Sequence, residues 1–221
     1  PGLHRTSGRI WPDDELKAGG LIHRDMVALD TDDFELSRGD AAPEFALQGT
    51  DGETYTLDSF AGYDALLVVF TCNHCPYAKA KFAELNHLAD SYDDLAVVGI
   101  NANDPEEYPE DSFEKMQELV ADGTIDYDAY LFDEDQSVAA DYGAVCTPDP
   151  FLFANEGGTF ELAYHGRIDD ALNPEDQPTT YEMRAHVETV LAGEAVEAED
   201  KPSRGCSIKF REENKPDYFE A

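Results

Sequence analysis

The chain has 221 residues, with 49 Asp or Glu against 15 Lys or Arg, and its formal net charge is −34. This length can bury the core of one good-sized domain, and no apolar run approaches the length that spans a bilayer. So acidic a surface disfavours nucleic acid and anionic membranes as partners. Because no signal-peptide core is found near the start, we expect a cytoplasmic protein.

The acidic residues are spread along the chain between well-patterned apolar segments, and there are only seven lysines. This composition resembles that of proteins from halophiles that accumulate salt in the cytoplasm. We therefore expect a halophilic source and a fold that loosens at low salt, because unscreened surface charges repel one another.

Composition divides the chain into three parts. Residues 1–25 balance four basic against four acidic residues and contain the only tryptophan, Trp11. We predict an N-terminal extension over residues 1–38, of which 1–25 lie outside the fold, followed by a domain over residues 39–193. Residues 194–221 form a polar tail, and four apolar residues indicate that it docks on the domain: Ile208, Phe210, Tyr218 and Phe219.

Within the domain, the spacing of apolar residues predicts strands and helices in alternation. Residues 45–57 predict a hairpin, and residues 65–70 a buried strand followed by a helix that reaches Tyr92. Four further elements follow, namely a strand at 95–100, a helix at 112–120, a strand at 130–132 and a helix at 138–142.

The predicted domain ends in a hairpin, with strands at 150–154 and 160–166, and in a helix to Leu191. A capping box of Thr179 and Glu182 is expected to begin that helix. Parallel strands joined by helices form right-handed βαβ units, so the sequence predicts an α/β fold.

Two cysteines lie at the junction of the buried strand and its helix, in Cys72-Asn73-His74-Cys75. Such a pair is either half of a zinc site or a dithiol that cycles with a disulfide. A helix N-terminus favours a thiolate, and the spacing lets one thiol resolve a mixed disulfide formed by the other. The position favours the redox dithiol, because zinc-ribbon pairs lie on β-turns.

A second motif, Thr147-Pro148, precedes a predicted strand. The Cys-Asn-His-Cys-Pro-Tyr segment, the Val-Cys-Thr-Pro-Asp-Pro-Phe segment and the first hairpin together resemble the redoxin (AhpC/TSA) branch of thioredoxin-like proteins, over about residues 39–192. The resemblance implies a thioredoxin-like α/β fold, with a central mixed β-sheet flanked by helices, an N-terminal hairpin and a C-terminal tail. It also implies that a cis-proline loop of Thr147 and Pro148 faces the cysteine pair, with an ordinary trans-proline as the alternative.

By the same resemblance, the protein is a thiol-disulfide oxidoreductase in which Cys72 is the exposed nucleophile and Cys75 the shielded resolving thiol. His74 corresponds to a histidine that stabilises the thiolate in oxidising disulfide catalysts, or else it is an exposed residue at the helix start. The implied partners are protein or small-molecule disulfides and an external thiol reductant. No cofactor and no metal are expected.

Peroxide reduction is the first alternative function. Peroxiredoxins carry a Pro-x-x-x-Thr-x-x-Cys motif, but when its cysteine is placed on Cys75, the threonine position is Cys72 and the proline position is Val68. Arg167 could supply a guanidinium that holds a peroxide, or it has a structural role. The missing motif residues make peroxidase activity the less favoured interpretation.

The remaining cysteines raise a further question. Cys146 lies two residues before Pro148, so we expect it near the motif cysteines, and Cys206 reaches them if the tail docks there. We predict a second redox or relay pair, Cys146–Cys206, with two small buried thiols as the alternative. Four thiols and His74 also permit Cu(I) or Zn(II) binding, a third functional class.

Overall fold

The computed structural model of the protein describes residues 28–30 and 36–219. The predicted extension over residues 1–25, with Trp11, lies outside the described residues. Within the described ranges, no helix is both long enough and apolar enough to cross a membrane.

The described strands and helices alternate along much of the chain. The strands are β1 (Ala28–Asp30), β2 (Ala46–Gly49), β3 (Thr54–Thr56), β4 (Ala65–Phe70), β5 (Leu95–Asn101), β6 (Ala129–Phe132), β7 (Cys146–Thr147), β8 (Asp149–Glu156), β9 (Thr159–His165) and β10 (Arg204–Ser207). The α-helices are α1 (Pro76–Lys79), α2 (Phe82–Ser91), α3 (Phe113–Ala121), α4 (Ser137–Asp141) and α5 (Glu182–Leu191). Short 3-10 helices span Leu57–Phe60, Pro109–Asp111 and Glu212–Asn214.

The strands form a larger sheet in the order β3-β2-β6-β5-β4-β8-β9 and a smaller sheet in the order β1-β10-β7. Strands β4, β5 and β6 are parallel, and β2 and β8 join them antiparallel on either side. The hairpins β2–β3 and β8–β9 extend the sheet to its two edges. This mixed sheet flanked by helices confirms the predicted fold class.

Strand β4 lies inside the larger sheet, between β5 and β8. All six of its residues are buried, because both faces of the sheet are covered, which explains the continuous apolar run. Val68 and Phe70 pack on the side of α4, whereas Leu67 and Val69 pack on the side of α2 and α5. The chain that follows β4 therefore starts from a rigid position.

The helix predicted after β4 is interrupted between α1 and α2. Lys81 lies at the break, is only 9% exposed, and places its Nζ 2.5 Å from Asp169 Oδ1. The same ammonium donates a hydrogen bond to the carbonyl oxygen of Ala171 at 3.0 Å. The break thus accompanies a buried ion pair that joins this helix to the segment after β9.

The predicted capping box at the start of α5 is wrong. Thr179 donates its hydroxyl to the carboxylate of Asp170, and α5 begins only at Glu182. The Glu182 carboxylate binds the side chains of Arg167 and Lys201. These charged partners form stronger hydrogen bonds than the backbone amide that the box would have used.

The C-terminal tail docks on the domain, as its apolar residues predicted. Ile208 is 2% exposed and belongs to the main core, and Phe219 is also buried. The side chains of Asn103 and Gln136 bind the backbone of Lys209 at 2.8 and 2.9 Å. The tail also forms β10, which was not predicted because its Arg-Gly-Cys-Ser sequence has no apolar alternation.

Candidate active site

The two cysteines of the Cys-Asn-His-Cys segment lie where β4 gives way to α1. Cys72 follows β4 after a single intervening residue, and Cys75 is the residue directly before α1. Both cysteines are 0% exposed. The prediction that Cys72 is exposed is therefore wrong. The physical reason is that the tail strand β10 packs against α1 and covers this end of the sheet.

The loop between β7 and β8 faces these cysteines, and its Thr147–Pro148 peptide bond is cis. The hydroxyl oxygen of Thr147 lies 3.3 Å from Cys72 Sγ. The carbonyl oxygen of the same residue lies 3.4 Å from Cys75 Sγ. One residue of this loop therefore contacts both sulfur atoms of the motif.

Cys206 completes a cluster of three thiols, since its Sγ lies 2.6 Å from Cys75 Sγ. Strand β10 pairs antiparallel with β7, so that Cys206 is opposite Thr147 and Ser207 is opposite Cys146. Alternate residues of a strand face opposite sides, so Cys206 does not share the side of Cys146. The structure therefore does not bring Cys146 and Cys206 together as a pair, and Cys206 lies against Cys75.

The surroundings shift the pKa values of the three thiols in different directions. Hydrogen bonds from Cys206 and Cys72 hold the pKa of Cys75 well below its ordinary value, and an amide of α1 adds to this effect although burial opposes it. Burial raises the pKa of Cys72, and the nearby Asp111 carboxylate adds to the rise. The hydrogen bond to Cys75, together with burial, raises the pKa of Cys206. Of the three thiols, Cys75 is thus the one whose pKa is lowered.

Asp111 belongs to no sequence motif, yet it organises the Cys-Asn-His-Cys segment. Its buried carboxylate accepts hydrogen bonds from the backbone amides of Asn73 at 2.7 Å and His74 at 3.2 Å. The side chain of Asn103 donates a third hydrogen bond at 2.7 Å. An isolated aspartate 37 residues from His74 gives no pattern from which this contact could be predicted.

His74 pairs with the same carboxylate. Its Nδ1 lies 2.5 Å from Asp111 Oδ2, and its ring stacks on Tyr108 with centroids 5.2 Å apart. Burial lowers the pKa of His74, but the hydrogen bond and charge of Asp111 outweigh burial, so the net pKa is raised. The side chain is 17% exposed and its main partner is a carboxylate rather than a thiolate.

Among the described residues, one group of side chains could hold a metal ion, and it belongs to this same site. Cys72 Sγ, a ring nitrogen of His74 and a carboxylate oxygen of Asp111 lie within 4.8 Å of one another. Because His74 and Asp111 already bind each other, a metal would have to replace that contact.

Arg167, the candidate peroxide-binding guanidinium, binds both carboxylate oxygens of Glu182, at 2.9 and 2.6 Å. A bidentate ion pair of this kind holds the side chain in one orientation. The contact corresponds to the structural alternative for Arg167.

A mixed sheet with a Cys-x-x-Cys segment after the inner strand β4, opposite a cis-proline, has the fold of thioredoxin-like proteins. The model of the AhpC/TSA family matches residues 38–170, which is more than half of the chain, and the chain belongs to this family. No curated protein matches the chain significantly.

Several solved structures are similar to the chain. A conserved protein of uncharacterised function from Geobacillus kaustophilus is 37% identical, with a TM-score of 0.76 over 85% of this chain and 98% of its own. A hypothetical protein from Sinorhizobium meliloti 1021 is 40% identical, with a TM-score of 0.73 over 80% of this chain and 97% of its own. A candidate thiol:disulfide interchange protein from Chlorobium tepidum, at 21% identity and a TM-score of 0.54 over 71% of this chain and 99% of its own, shares the fold.

Proposed function

We propose that the protein is a thiol-disulfide oxidoreductase in which Cys72 and Cys75 cycle between a dithiol and a disulfide. The observation that carries this proposal is the contact of both sulfur atoms with Thr147, at 3.3 and 3.4 Å, directly before the cis-proline. Membership of a redoxin family and a thioredoxin-like fold support the same chemistry.

In the proposed reaction, a thiolate of the centre attacks one sulfur of a substrate disulfide. A mixed disulfide forms and the first substrate thiolate leaves. The second cysteine then attacks the enzyme's sulfur in the mixed disulfide, releases the second substrate thiolate and leaves a Cys72–Cys75 disulfide. The substrate gains two electrons and the centre loses two, which an external thiol reductant restores.

The order of attack remains part of the proposal. The family resemblance assigns the first attack to Cys72, whereas hydrogen bonding in the closed cluster stabilises the thiolate of Cys75. Both sulfurs are buried beneath β10, so a protein disulfide reaches either one only after the tail strand moves. Trapping decides the order, because Cys75→Ser accumulates a substrate adduct on Cys72 only if Cys72 attacks first.

The test is reduction of an insulin-type disulfide, assayed at high salt, for wild type, Cys72→Ser, Cys75→Ser and Cys146→Ser. We expect each substitution in the motif, made together with Cys206→Ser so that the third thiol cannot resolve in place of the one removed, to lower the rate by about a hundredfold or more, because one thiol cannot both attack and resolve. Cys146→Ser removes a thiol that is equally buried but lies on the other side of β7, and it should keep the wild-type rate. Wild-type activity in Cys72→Ser combined with Cys206→Ser would overturn the proposal.

Peroxide reduction is a second candidate, and the stabilised thiolate of Cys75 favours it. When the Pro-x-x-x-Thr-x-x-Cys motif is placed on Cys75, its cysteine matches, but its threonine and proline do not. Rapid peroxide turnover that is lost in Cys75→Ser but kept in Cys72→Ser would support this candidate against disulfide exchange. Stoichiometric metal in the purified protein would instead support a metal-binding role for Cys72, His74 and Asp111.

A further inference from the structure

The tail strand β10 brings a third sulfur atom to the proposed dithiol. We propose that Cys206 is a redox-active thiol of the same centre, and that it exchanges with the Cys72–Cys75 disulfide to form a Cys75–Cys206 disulfide. The inference rests on the proposed function, and it gives Cys75 two alternative disulfide partners.

The distance between the sulfurs carries this proposal. Cys75 Sγ and Cys206 Sγ lie 2.6 Å apart, and both residues are almost completely buried. A disulfide bond is about 2.05 Å long, so bond formation needs little movement.

The position of β10 is fixed by close backbone packing. A Cβ added to Gly205 would lie 2.1 Å from the carbonyl oxygen of Thr147, so only glycine permits this approach. Ile208 continues the contact by donating its backbone amide to the carbonyl oxygen of Val145 at 3.0 Å. Cys206 therefore lies against the thiol centre because of a defined strand pairing and not because of a loose tail.

The exchange conserves atoms and electrons. Cys206 loses its proton and attacks Cys75 Sγ in the Cys72–Cys75 disulfide, the Cys75–Cys206 bond forms, and Cys72 leaves as a thiolate that takes up a proton in place of the one lost by Cys206. This step is redox-neutral, because one disulfide bond replaces another. The substrate disulfide had already oxidised the centre in the preceding reaction. An external dithiol then reduces the Cys75–Cys206 bond and becomes a disulfide itself.

Peptide mapping tests the proposal, because trypsin separates the cysteines. Cys72 and Cys75 lie on peptide 39–79, Cys146 lies on peptide 116–167, and Cys206 lies on peptide 205–209. Full-length protein is equilibrated at high salt with oxidised and reduced glutathione, blocked with N-ethylmaleimide in acid, and digested. We expect part of the oxidised wild type to carry peptide 39–79 linked to peptide 205–209.

Two variants sharpen the result. In Cys72→Ser the linked peptide should become the main oxidised form, since Cys206 is then the one described thiol that contacts Cys75. Cys146→Ser is the matched control and should leave the amount of linked peptide unchanged. If Cys72→Ser does not fold, as judged by circular dichroism, the wild-type map still decides.

The inference is overturned if peptide 205–209 is fully alkylated at every glutathione ratio that oxidises peptide 39–79. It is also overturned if Cys206 links to peptide 116–167 instead. Insulin reduction distinguishes failure of this inference from failure of the proposed function. Cys206→Ser should slow steady-state turnover by about tenfold while the first turnover keeps its rate. Absence of the linked peptide together with normal insulin reduction would contradict only this inference. Absence of insulin reduction in the wild type would contradict the proposed function.

Discussion

The Cys-Asn-His-Cys segment and the tail strand β10 bring cysteines to the same cluster by different means. In the segment, Cys72 and Cys75 are placed by local structure, because a buried strand ends just before them and a helix begins directly after them. In the tail, Cys206 arrives 131 residues after Cys75 through backbone pairing with β7. The first arrangement depends on neighbours in sequence, and the second on a long-range register.

Substitution of Asp111 should destabilise the protein most, because Asp111 holds the Cys-Asn-His-Cys segment in place. Asp111→Ala removes the buried carboxylate that binds two backbone amides of the segment and pairs with His74. We expect a loss of about 3–5 kcal/mol in the free energy of unfolding, because the amides of Asn73 and His74 and the side chain of Asn103 lose their acceptor, at about 1–3 kcal/mol each. Urea denaturation at high salt measures this loss.

Glu110→Ala serves as the control for that substitution, because the neighbouring glutamate is exposed. Its free energy of unfolding should change by less than about 0.5 kcal/mol. A loss below about 1 kcal/mol for Asp111→Ala would mean that the segment does not depend on this carboxylate.

A smaller effect is expected when the long-range arrangement is disturbed. Gly205→Ala places a Cβ against the backbone of Thr147, and neither backbone can yield as a flexible side chain would. We expect a destabilisation of about 1–3 kcal/mol and less Cys75–Cys206 disulfide, with the Cys72–Cys75 disulfide retained. Denaturation and peptide mapping measure the two effects.

Gly62→Ala is the matched control, since an added Cβ there meets no described atom within 4 Å. It should leave both stability and disulfide content unchanged. If Gly205→Ala behaves in the same way, close packing of β10 on the cis-proline loop is not what positions Cys206.

The pH dependence of stability should show the smallest effect. The folded-state pKa of His74 is raised, since the hydrogen bond and charge of Asp111 outweigh burial. A raised folded pKa adds stability that is fully present below the unfolded value of about 6.5 and is lost as pH rises through the folded value. The stability difference between wild type and His74→Asn should therefore shrink as pH rises above 6.5.

Urea denaturation of both proteins from pH 5 to pH 9 checks this expectation. A difference that stays constant or grows over that range would show that Asp111 does not stabilise the charged imidazole. An NMR titration of His74 in the wild type gives the folded pKa directly.

The sequence predicted those parts of the molecule that local patterns determine. The apolar run of β4, the helical spacing after it and the two cysteines between them gave the fold class and the motif, and Thr147-Pro148 gave the facing loop. The tail residue Ile208 correctly indicated docking.

Other features depend on contacts between distant segments and could not be predicted in this way. The register that puts Cys206 against Cys75, the burial of Cys72 beneath β10 and the role of Asp111 all belong to this class. The capping box failed for a similar reason, because Glu182 is bound by Arg167 and Lys201 instead.

A redox titration of Cys72 and Cys75 tests most directly whether these two cysteines cycle between a dithiol and a disulfide. Wild-type protein at high salt is equilibrated over a series of glutathione ratios, and the oxidation state of peptide 39–79 is measured by mass spectrometry. We predict a reversible two-electron transition in which this peptide loses two hydrogens as an internal disulfide forms. This prediction is contradicted if both cysteines are alkylated across the whole series, or if each is oxidised only as a separate glutathione adduct.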